Sequence, residues 1–307
     1  MNILFCSHPL APALVDPDYE DEWRAALDNG FKPHLFPFEI LVAEKDPSAA
    51  IRNIPPSGTM VTLLYRGWML KPWQYTLLYQ TLLQKNYQLI NSPVAYQTCH
   101  YLPDSYPFIE AYTPKTVWVR AENGAIDYEQ VFGAIAVFGQ APLMIKDYVK
   151  SQKHYWDTAC FIPDASDREK VKTVVANFLR LQGDDLNEGI VLRAFVALKD
   201  LTIHSVSSMP LTQEYRLFFF NGQLLGCFDY WEEGTYPEAP QPPLALFETI
   251  AQTIKSNFFS MDIAQTTSGE WLIIELGDGQ VAGLPGKADR YLFYNALHKY
   301  WRNAIPL

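Results

Sequence analysis

The sequence predicts an α/β fold in the N-terminal part of the chain and an α+β fold in the C-terminal part. In the first 110 or so residues, short apolar runs alternate with helical segments, which is typical of a parallel sheet covered by helices on both faces. From about residue 116 strand-like runs dominate, and two hairpin patterns follow. With 307 residues, of which 49% are hydrophobic and 19% charged, the chain is expected to fold into two or three lobes.

The N-terminal elements are predicted from apolar runs and from the residues that end them. Acidic residues fill the first turn of one predicted helix, and Gly30 lies beyond its end. Pro72 opens a second helix, since proline is favoured in the first turn. The helices are predicted over residues 18–27 and 72–85, and the strands over residues 3–6, 34–42, 60–65 and 87–90.

The C-terminal elements include two hairpins. Asn221-Gly222 separates two apolar runs and is the strongest short signal for a two-residue turn. A second hairpin joins residues 261–264 to residues 271–275, with its turn placed at Ser268-Gly269. Further strands are predicted over residues 117–119, 143–146 and 189–198, and helices over residues 167–181 and 244–257.

Composition excludes several classes of protein. Twenty-four basic against thirty-four acidic residues give a net charge of −10, which disfavours a general nucleic-acid binder. No apolar run is long enough for a membrane span, and no signal sequence is recognised, so we expect a cytoplasmic protein without a membrane partner. The four cysteines show neither zinc-site spacing nor a disulfide pattern. Neither a P-loop nor a G-x-G-x-x-G motif occurs.

The second hairpin carries a pair of carboxylates. If Ser268-Gly269 is the turn, a regular ladder places Asp262 directly opposite Glu275, with side chains about 5 Å apart. Two like charges at this separation are unfavourable unless they are neutralised, and Mg²⁺ favours one or two carboxylates together with phosphate oxygens. The alternatives are a register slip by one residue or two carboxylates on a solvated face.

Three basic residues lie in or beside apolar strands. Arg216 is expected either to pair with a carboxylate such as Glu214, two residues away on the same face, or to hold an anion. Lys146 ends an apolar run and precedes a lysine-rich segment that suits phosphate contact, although a solvated loop is the alternative. Arg193 lies in a strand so apolar that its guanidinium is expected to be paired or to bind a ligand.

The order of these pieces resembles the ATP-grasp superfamily. A strand ending in lysine, an apolar strand leading to a hinge, an arginine-bearing strand, and then Asp and Glu on successive strands occur in that sequence. The preceding α/β segment, with Arg66-Gly67-Trp68-Met69, is similar to a pre-ATP-grasp domain. The resemblance implies a pre-ATP-grasp domain over residues 1–112 and an ATP-grasp domain over residues 113–307, with a small lobe over about 113–195 and a large lobe over about 196–307.

The resemblance also implies ligands and residue roles. It implies ATP and Mg²⁺ as cofactors, with Arg216 and Lys153 as catalytic cations and Arg66 as a substrate contact. Lys146, Arg193, Ala194, Phe195 and Val196 are implied to bind the nucleotide, and Asp262, Glu275 and Asp278 to bind the metal. For Arg66 the alternative is an arginine beside a turn, and for Asp278 it is a residue that closes a turn.

The activity implied is ATP-dependent carboxylate–amine ligation through an acyl-phosphate, on a peptide, a protein tail or an amino acid. Two departures from the family pattern stand out. Arg193 occupies a position that is usually acidic, and Gly277 replaces an Asn two residues after the metal-binding Glu. The alternative is therefore an ATP-grasp-fold nucleotide-binding protein without ligase activity, either a phosphotransferase or a silent partner-binding protein. The expected partner is a small-molecule or peptide substrate, and a homodimer stays open.

Overall fold

The computed structural model describes residues 1–205 and 209–304. Its strands are β1 (Asn2–His8), β2 (Ala11–Val15), β3 (Lys32–Phe36), β4 (Val61–Arg66), β5 (Tyr87–Leu89), β6 (Thr116–Arg120), β7 (Leu143–Asp147), β8 (Phe161–Ile162), β9 (Gly189–Ala194), β10 (Asp200–Ile203), β11 (Pro210–Thr212), β12 (Glu214–Phe220), β13 (Gln223–Asp229), β14 (Phe258–Gln265) and β15 (Trp271–Asp278). Its α-helices are α1 (Glu20–Asp28), α2 (Phe38–Val42), α3 (Pro47–Ala50), α4 (Pro72–Leu83), α5 (Pro93–His100), α6 (Leu102–Ile109), α7 (Tyr128–Ile135), α8 (Arg168–Gln182), α9 (Leu244–Ala251) and α10 (Arg290–Ala304).

The first sheet is built around β1. Strands β3 and β4 run parallel to β1 on its two sides, and β5 runs parallel to β4, which confirms the predicted parallel sheet. Strand β2, which the sequence analysis did not predict, pairs antiparallel with the C-terminal end of β1. The strand predicted over residues 34–42 is wrong in its second half. Pro37 has no N–H to continue the ladder, so β3 stops at Phe36 and α2 begins at Phe38.

The second sheet is antiparallel and forms the small lobe. Its strand order is β6-β9-β7-β8, so β9 lies in the middle and pairs with β6 and β7. Buried side chains of α7 and α8, among them Val131, Val174 and Phe178, pack with this sheet in one apolar cluster. The predicted strand over residues 189–198 ends early, at Ala194, where the backbone leaves the sheet.

The third sheet, in strand order β13-β12-β14-β15, forms the large lobe. Asn221 and Gly222 both have positive φ, 47° and 73°, and Phe220 pairs with Gln223, so the predicted two-residue turn is confirmed. Because side chains alternate along a strand, β12 contributes Phe219 to one apolar cluster and Phe218 to another on the opposite face.

The last helix, α10, returns to the first sheet. Phe293 and Tyr294 of α10 belong to the same apolar cluster as Ile3 and Phe5 of β1 and Phe218 of β12. The Tyr294 hydroxyl also donates to Glu22 of α1 at 2.6 Å. No helix within the described ranges combines the length and the apolar content needed to cross a membrane.

Candidate functional site

A cleft of about 760 Å³ lies between the small-lobe sheet and the large-lobe sheet. Strands β7 and β9 form one wall, β12, β14 and β15 form the other, and α5 reaches the cleft with its last residue, His100. The charged residues that line the cleft are Lys146, Lys150, Lys153, Arg193, Glu214, Arg216, Asp262, Glu275 and Asp278. The cleft therefore gathers most of the residues that the sequence analysis selected, drawn from distant parts of the chain.

Arg216 and Asp262 form a bidentate ion pair on the floor of the cleft. The two residues are direct cross-strand partners on β12 and β14. Arg216 donates from Nε to Oδ1 at 2.8 Å and from Nη2 to Oδ2 at 2.7 Å. Burial raises the pKa of Asp262, and the guanidinium opposes that rise. The partner of Arg216 is thus Asp262 rather than Glu214, whose Oε1 accepts from Thr212.

Lys146 and Glu275 form a second ion pair, which spans the cleft. Lys146 Nζ on β7 lies 2.7 Å from Glu275 Oε2 on β15, with 14% and 35% of the two side chains exposed. Burial alone would raise the pKa of Glu275, but Lys146, Lys153 and Arg216 together outweigh it, and the pKa falls to about 2. Glu275 is therefore ionised at any physiological pH.

Asp262 and Glu275 are cross-strand neighbours, as predicted, but for a different reason. The turn is one residue longer than predicted, since Thr266 N donates to Glu270 O at 2.8 Å across residues 267–269. A β-bulge between Asp262 and the next pair, Ile263 and Ile273, leaves Ile274 as an extra residue and shifts the ladder back by one. The two departures cancel, so both carboxylates lie on the same face.

The proposed hinge lies at the edge of the same cleft, where β9 ends. Ala194 and Val196 line the cleft. Ala194 N donates to Lys115 O at 2.8 Å, and Phe195 N donates to Pro142 O at 2.9 Å. In the described part of the chain, Val196 N–H has no hydrogen-bond partner, so it is available to a ligand.

Lys150 and Lys153, the lysines of the segment after Lys146 that suits phosphate contact, also line the cleft. Neither forms a salt bridge within residues 1–205 and 209–304. The positive charge of Lys153 acts on Glu214, Asp262 and Glu275, since it opposes the rise in pKa of the first two and lowers that of the third. These two ammonium groups, like the guanidinium of Arg193, have no carboxylate partner among the described residues of the cleft.

Arg66 does not reach the cleft. Its side chain is 1% exposed and makes a bidentate ion pair with Glu22 at 2.8 and 2.9 Å. The remaining terminal nitrogen, Nη1, donates to the carbonyls of Gly279 and Ala282 at 2.6 and 2.8 Å. The expectation that Arg66 contacts a substrate is therefore corrected: the residue joins the first sheet to the loop after β15.

Asp278 lies next to the cleft, but its carboxylate points away from the other two. It is three residues after Glu275 on β15, so strand alternation turns it to the opposite face, where it is fully buried. Asn91 Nδ2 donates to Oδ2 at 2.6 Å, and Gln280 N donates to Oδ1 at 3.0 Å. Burial raises the pKa of Asp278 to about 7, against these hydrogen bonds. Asp278 is therefore left out of the predicted metal ligands, because its carboxylate is held by Asn91 and Gln280.

The family comparison agrees with this geometry. A family of ATP-grasp domains, family 3 of its clade, matches residues 133–298, which is more than half of the 307-residue chain. The chain belongs to this family. The match includes both ion pairs of the cleft and residues 194–196, whereas Arg66 lies outside it.

Solved structures share the fold over nearly the whole chain. The RimK domain protein ATP-grasp from Sphaerobacter thermophilus DSM 20745 has 15% identity and a TM-score of 0.61, covering 97% of this chain and 99% of that one. ATP-grasp ligase PsnB, complexed with a phosphomimetic variant of its minimal precursor, Mg and ADP, has 11% identity, a TM-score of 0.56 and 98% coverage of both chains. Macrocyclase MdnC, bound with precursor peptide MdnA from Microcystis aeruginosa MRC, has 10% identity, a TM-score of 0.55, and covers 99% of this chain and 100% of that one. None of the curated proteins matches the chain.

Sequence reasoning missed three aromatic residues of the cleft, Tyr230, Trp231 and His100. The Tyr230 ring lies 4.7 Å from Arg216 Cζ, and the buried Nε1 of Trp231 has no partner among the described residues. A regular ladder from the Asn-Gly turn pairs Arg216 with Cys227 and turns Tyr230 away, but a bulge pairs Arg216 with Phe228 instead. His100 belongs to no sequence motif; burial lowers its pKa to about 4, so this ring, which lines the cleft, is neutral.

Proposed function

We propose that this chain is an ATP-dependent carboxylate–amine ligase that forms an amide through an acyl-phosphate. The observation that carries the proposal is the pair of opposed carboxylates, Asp262 and Glu275, each ion-paired to a cation in a cleft between two lobes. Phosphoryl transfer requires positioned positive charge more than a general base. Four cations, Lys146, Lys150, Lys153 and Arg216, line this cleft.

The donor set fits Mg²⁺. The described residues contain no cluster of three or more His, Cys, Asp or Glu arranged to hold a metal on their own. Mg²⁺ instead takes one or two carboxylates and completes its octahedral shell with phosphate oxygens and water. Asp262 and Glu275 would hold the ion, which would neutralise charge on the phosphates of ATP when bound.

The remaining residues have distinct roles in the proposal. Val196 N–H binds the adenine edge at the hinge, while Lys146 and Lys150 contact the phosphates. Arg216 lies on the floor beside Asp262, where its guanidinium stabilises charge on the transferred phosphoryl group and on the acyl-phosphate, with Lys153 as the second cation. The prediction that Arg193 binds the nucleotide is corrected, because its two terminal nitrogens donate to the Ile273 and Ile274 carbonyls of β15.

A peptide, a protein tail or an amino acid is the substrate class we propose. PsnB and MdnC, which share the fold over nearly the full chain, are described with precursor peptides bound. In this chain Tyr230 and Trp231 also line the cleft, so it offers apolar ring surface to an acceptor.

A nucleotide-binding protein without ligase activity is the second candidate, and Gly277 favours it. A Cβ built on Gly277 would lie 2.7 Å from Ser260 Oγ, so an Asn at this position requires Ser260 to move. Ser260 thus occupies space that a side chain at position 277 would need, which fits the glycine that this chain has there. A site with one ligand fewer can bind Mg-ATP without completing the transfer.

Two measurements test the proposal. Calorimetry should show Mg-ATP binding to the full chain that weakens in Lys146→Ala, whereas Lys172→Ala, on the exposed face of α8, should bind like the wild type. Asp262→Asn should weaken the Mg²⁺ dependence of binding while leaving the circular dichroism spectrum unchanged. Incubation with ATP, candidate peptides and hydroxylamine should then yield a hydroxamate. Binding without hydroxamate would favour the second candidate, and no binding would refute both.

A further inference from the structure

Arg193 is a buried cation in the wall of the cleft, and the proposed nucleotide contacts give it no role. Only 8% of the residue is exposed, and it forms no salt bridge within the described ranges. Burial lowers its pKa to about 10, although the nearby Glu275 charge opposes this. Its Nε is buried without a partner among the described residues. A charge kept in such surroundings is costly, so its remaining hydrogen bonds show what it does.

The guanidinium binds one short piece of backbone on β15. Nη1 donates to Ile274 O at 2.6 Å, and Nη2 donates to Ile273 O at 3.1 Å. Nη2 also donates to Thr113 Oγ1, and that hydroxyl donates to Ile273 O at 2.7 Å. Arg193 and Thr113, from β9 and from the segment before β6, thus bind two consecutive carbonyls of the opposite lobe.

Those two carbonyls flank the bulge of β15. Ile273 is the last residue of the regular ladder from the turn, and Ile274 is the extra residue. In a bulge the backbone is bent and the extra residue has no cross-strand partner, so its carbonyl is free for an outside donor. Arg193 supplies that donor.

The bulge decides the direction of Glu275. Without the extra residue, the ladder would continue with Ile274 opposite Asp262 and Glu275 opposite Met261. Met261 is fully buried in the apolar cluster of the large lobe, so Glu275 would point into that core, away from Asp262 and Lys146. The register at this one position determines whether the cleft has two facing carboxylates or one.

We propose that Arg193 and Thr113 are positioning residues that hold the β15 bulge and thereby keep Glu275 opposite Asp262 in the cleft. The consequence for Mg²⁺ rests on the proposed function, whereas the effect on strand register does not. Outer partners that orient a metal ligand change metal affinity by roughly 10- to 100-fold when removed. We expect an effect of that size from the loss of either residue.

Thr113→Val is the first test, because it removes the hydroxyl and nearly conserves the volume. Thr116→Val is its matched control: Thr116 is also buried in this segment, but its hydroxyl donates to Pro114 O at 2.7 Å, away from the bulge. Calorimetric titration of Mg²⁺ into the full chain with AMPPNP should show roughly 10-fold weaker binding or worse for Thr113→Val, with Thr116→Val unchanged. Equal affinities for both variants would overturn the proposal.

A double-mutant cycle separates positioning from general weakening of the fold. In a Glu275→Gln background the metal no longer depends on that carboxylate, so Thr113→Val should cause no further loss of Mg²⁺ affinity. An additional loss of the same size in both backgrounds would show that Thr113 acts on the fold alone and would refute the positioning role.

A crystal structure of Arg193→Met tests the register without any nucleotide. We expect the bulge to be lost or displaced and Glu275 to leave its place opposite Asp262. If the variant keeps the wild-type bulge, the positioning role is refuted even where Mg-nucleotide binds. If the wild type binds no Mg-nucleotide, the proposed function fails, but this structure still decides the role of Arg193. If Arg193→Met does not fold, a crystal structure of Thr113→Val decides the register by the same two outcomes.

Discussion

Arg66→Met tests whether Arg66 is a structural residue, because the variant removes a cation that the structure buries completely. Arg66 satisfies the Glu22 carboxylate through two nitrogens and the carbonyls of Gly279 and Ala282 through a third. In Arg66→Met, Glu22 would keep one described donor, the Tyr294 hydroxyl, at a site where its side chain is 9% exposed. The methionine fills part of the volume but replaces none of the hydrogen bonds.

The expected loss is large. Removing one partner of a buried ion pair costs about 3–5 kcal/mol, since the other charge stays buried and uncompensated. Each carbonyl left without a donor adds to this, at about 1–3 kcal/mol when it remains buried. We therefore expect the free energy of unfolding to fall by about 4 kcal/mol or more, relative to a typical total of about 5–15 kcal/mol.

Urea denaturation followed by fluorescence measures this loss. Arg120→Met is the matched control: its ion pair with Glu188 is solvated, with 74% and 39% of the side chains exposed, and should contribute about 0–1 kcal/mol. Adding Glu22→Gln to Arg66→Met removes the unpaired charge and should restore part of the stability. A loss for Arg66→Met no larger than that for Arg120→Met would refute the structural role and return Arg66 to the candidates for substrate binding.

Three further predictions concern single positions. Burial raises the pKa of Asp278 to about 7 from an ordinary value near 4, so the folded state favours the protonated form, and this residue's contribution to stability is full below about pH 4 and is lost as the pH rises to about 7. Urea unfolding of wild type and Asp278→Asn between about pH 4.5 and 7.5 should show the wild type losing stability relative to the variant. A constant difference between the two proteins would contradict this prediction. Gly222→Ala should cost about 1 kcal/mol or more in thermal unfolding, because φ is +73° and the new Cβ meets the Gln252 side chain at 2.7 Å; an unchanged melting temperature would contradict the turn assignment. Phe178→Ala should cost about 3–5 kcal/mol, because the ring is fully buried in the small-lobe core; a loss below 1 kcal/mol would show that this core can collapse around the cavity.

The elements that the sequence predicted well are those with strong local signals. Asn221-Gly222 fixed one hairpin because both positive φ values are accessible to these two residues. The parallel first sheet followed from alternating strands and helices. Strand β2 and helices α5 and α6 were missed because these short segments, each of which contains proline, show neither a clear period of two nor one of 3.6.

The site was predictable in its residue types but not in its contacts. Asp262 and Glu275 were placed opposite each other by a ladder that lacked both the longer turn and the bulge. Bulges have no local sequence signal here, because Arg193, the residue that binds the bulge, lies 80 residues away in sequence. Arg66 was assigned to the substrate for the same reason: its partner Glu22 is 44 residues away, and no local pattern indicates a buried ion pair.

The packing of α10 on the first sheet has a consequence for the order of folding during synthesis. The apolar cluster that covers Ile3 and Phe5 is completed by Phe293, Tyr294 and Leu297, near the other end of the described chain. Residues 1–112 therefore emerge from the ribosome with one face of their sheet covered only in part, by α1, and the rest of this face stays uncovered until α10 has been translated. We expect a fragment of residues 1–112, expressed alone, to aggregate or to require a chaperone, and the addition of α10 in trans to improve its solubility.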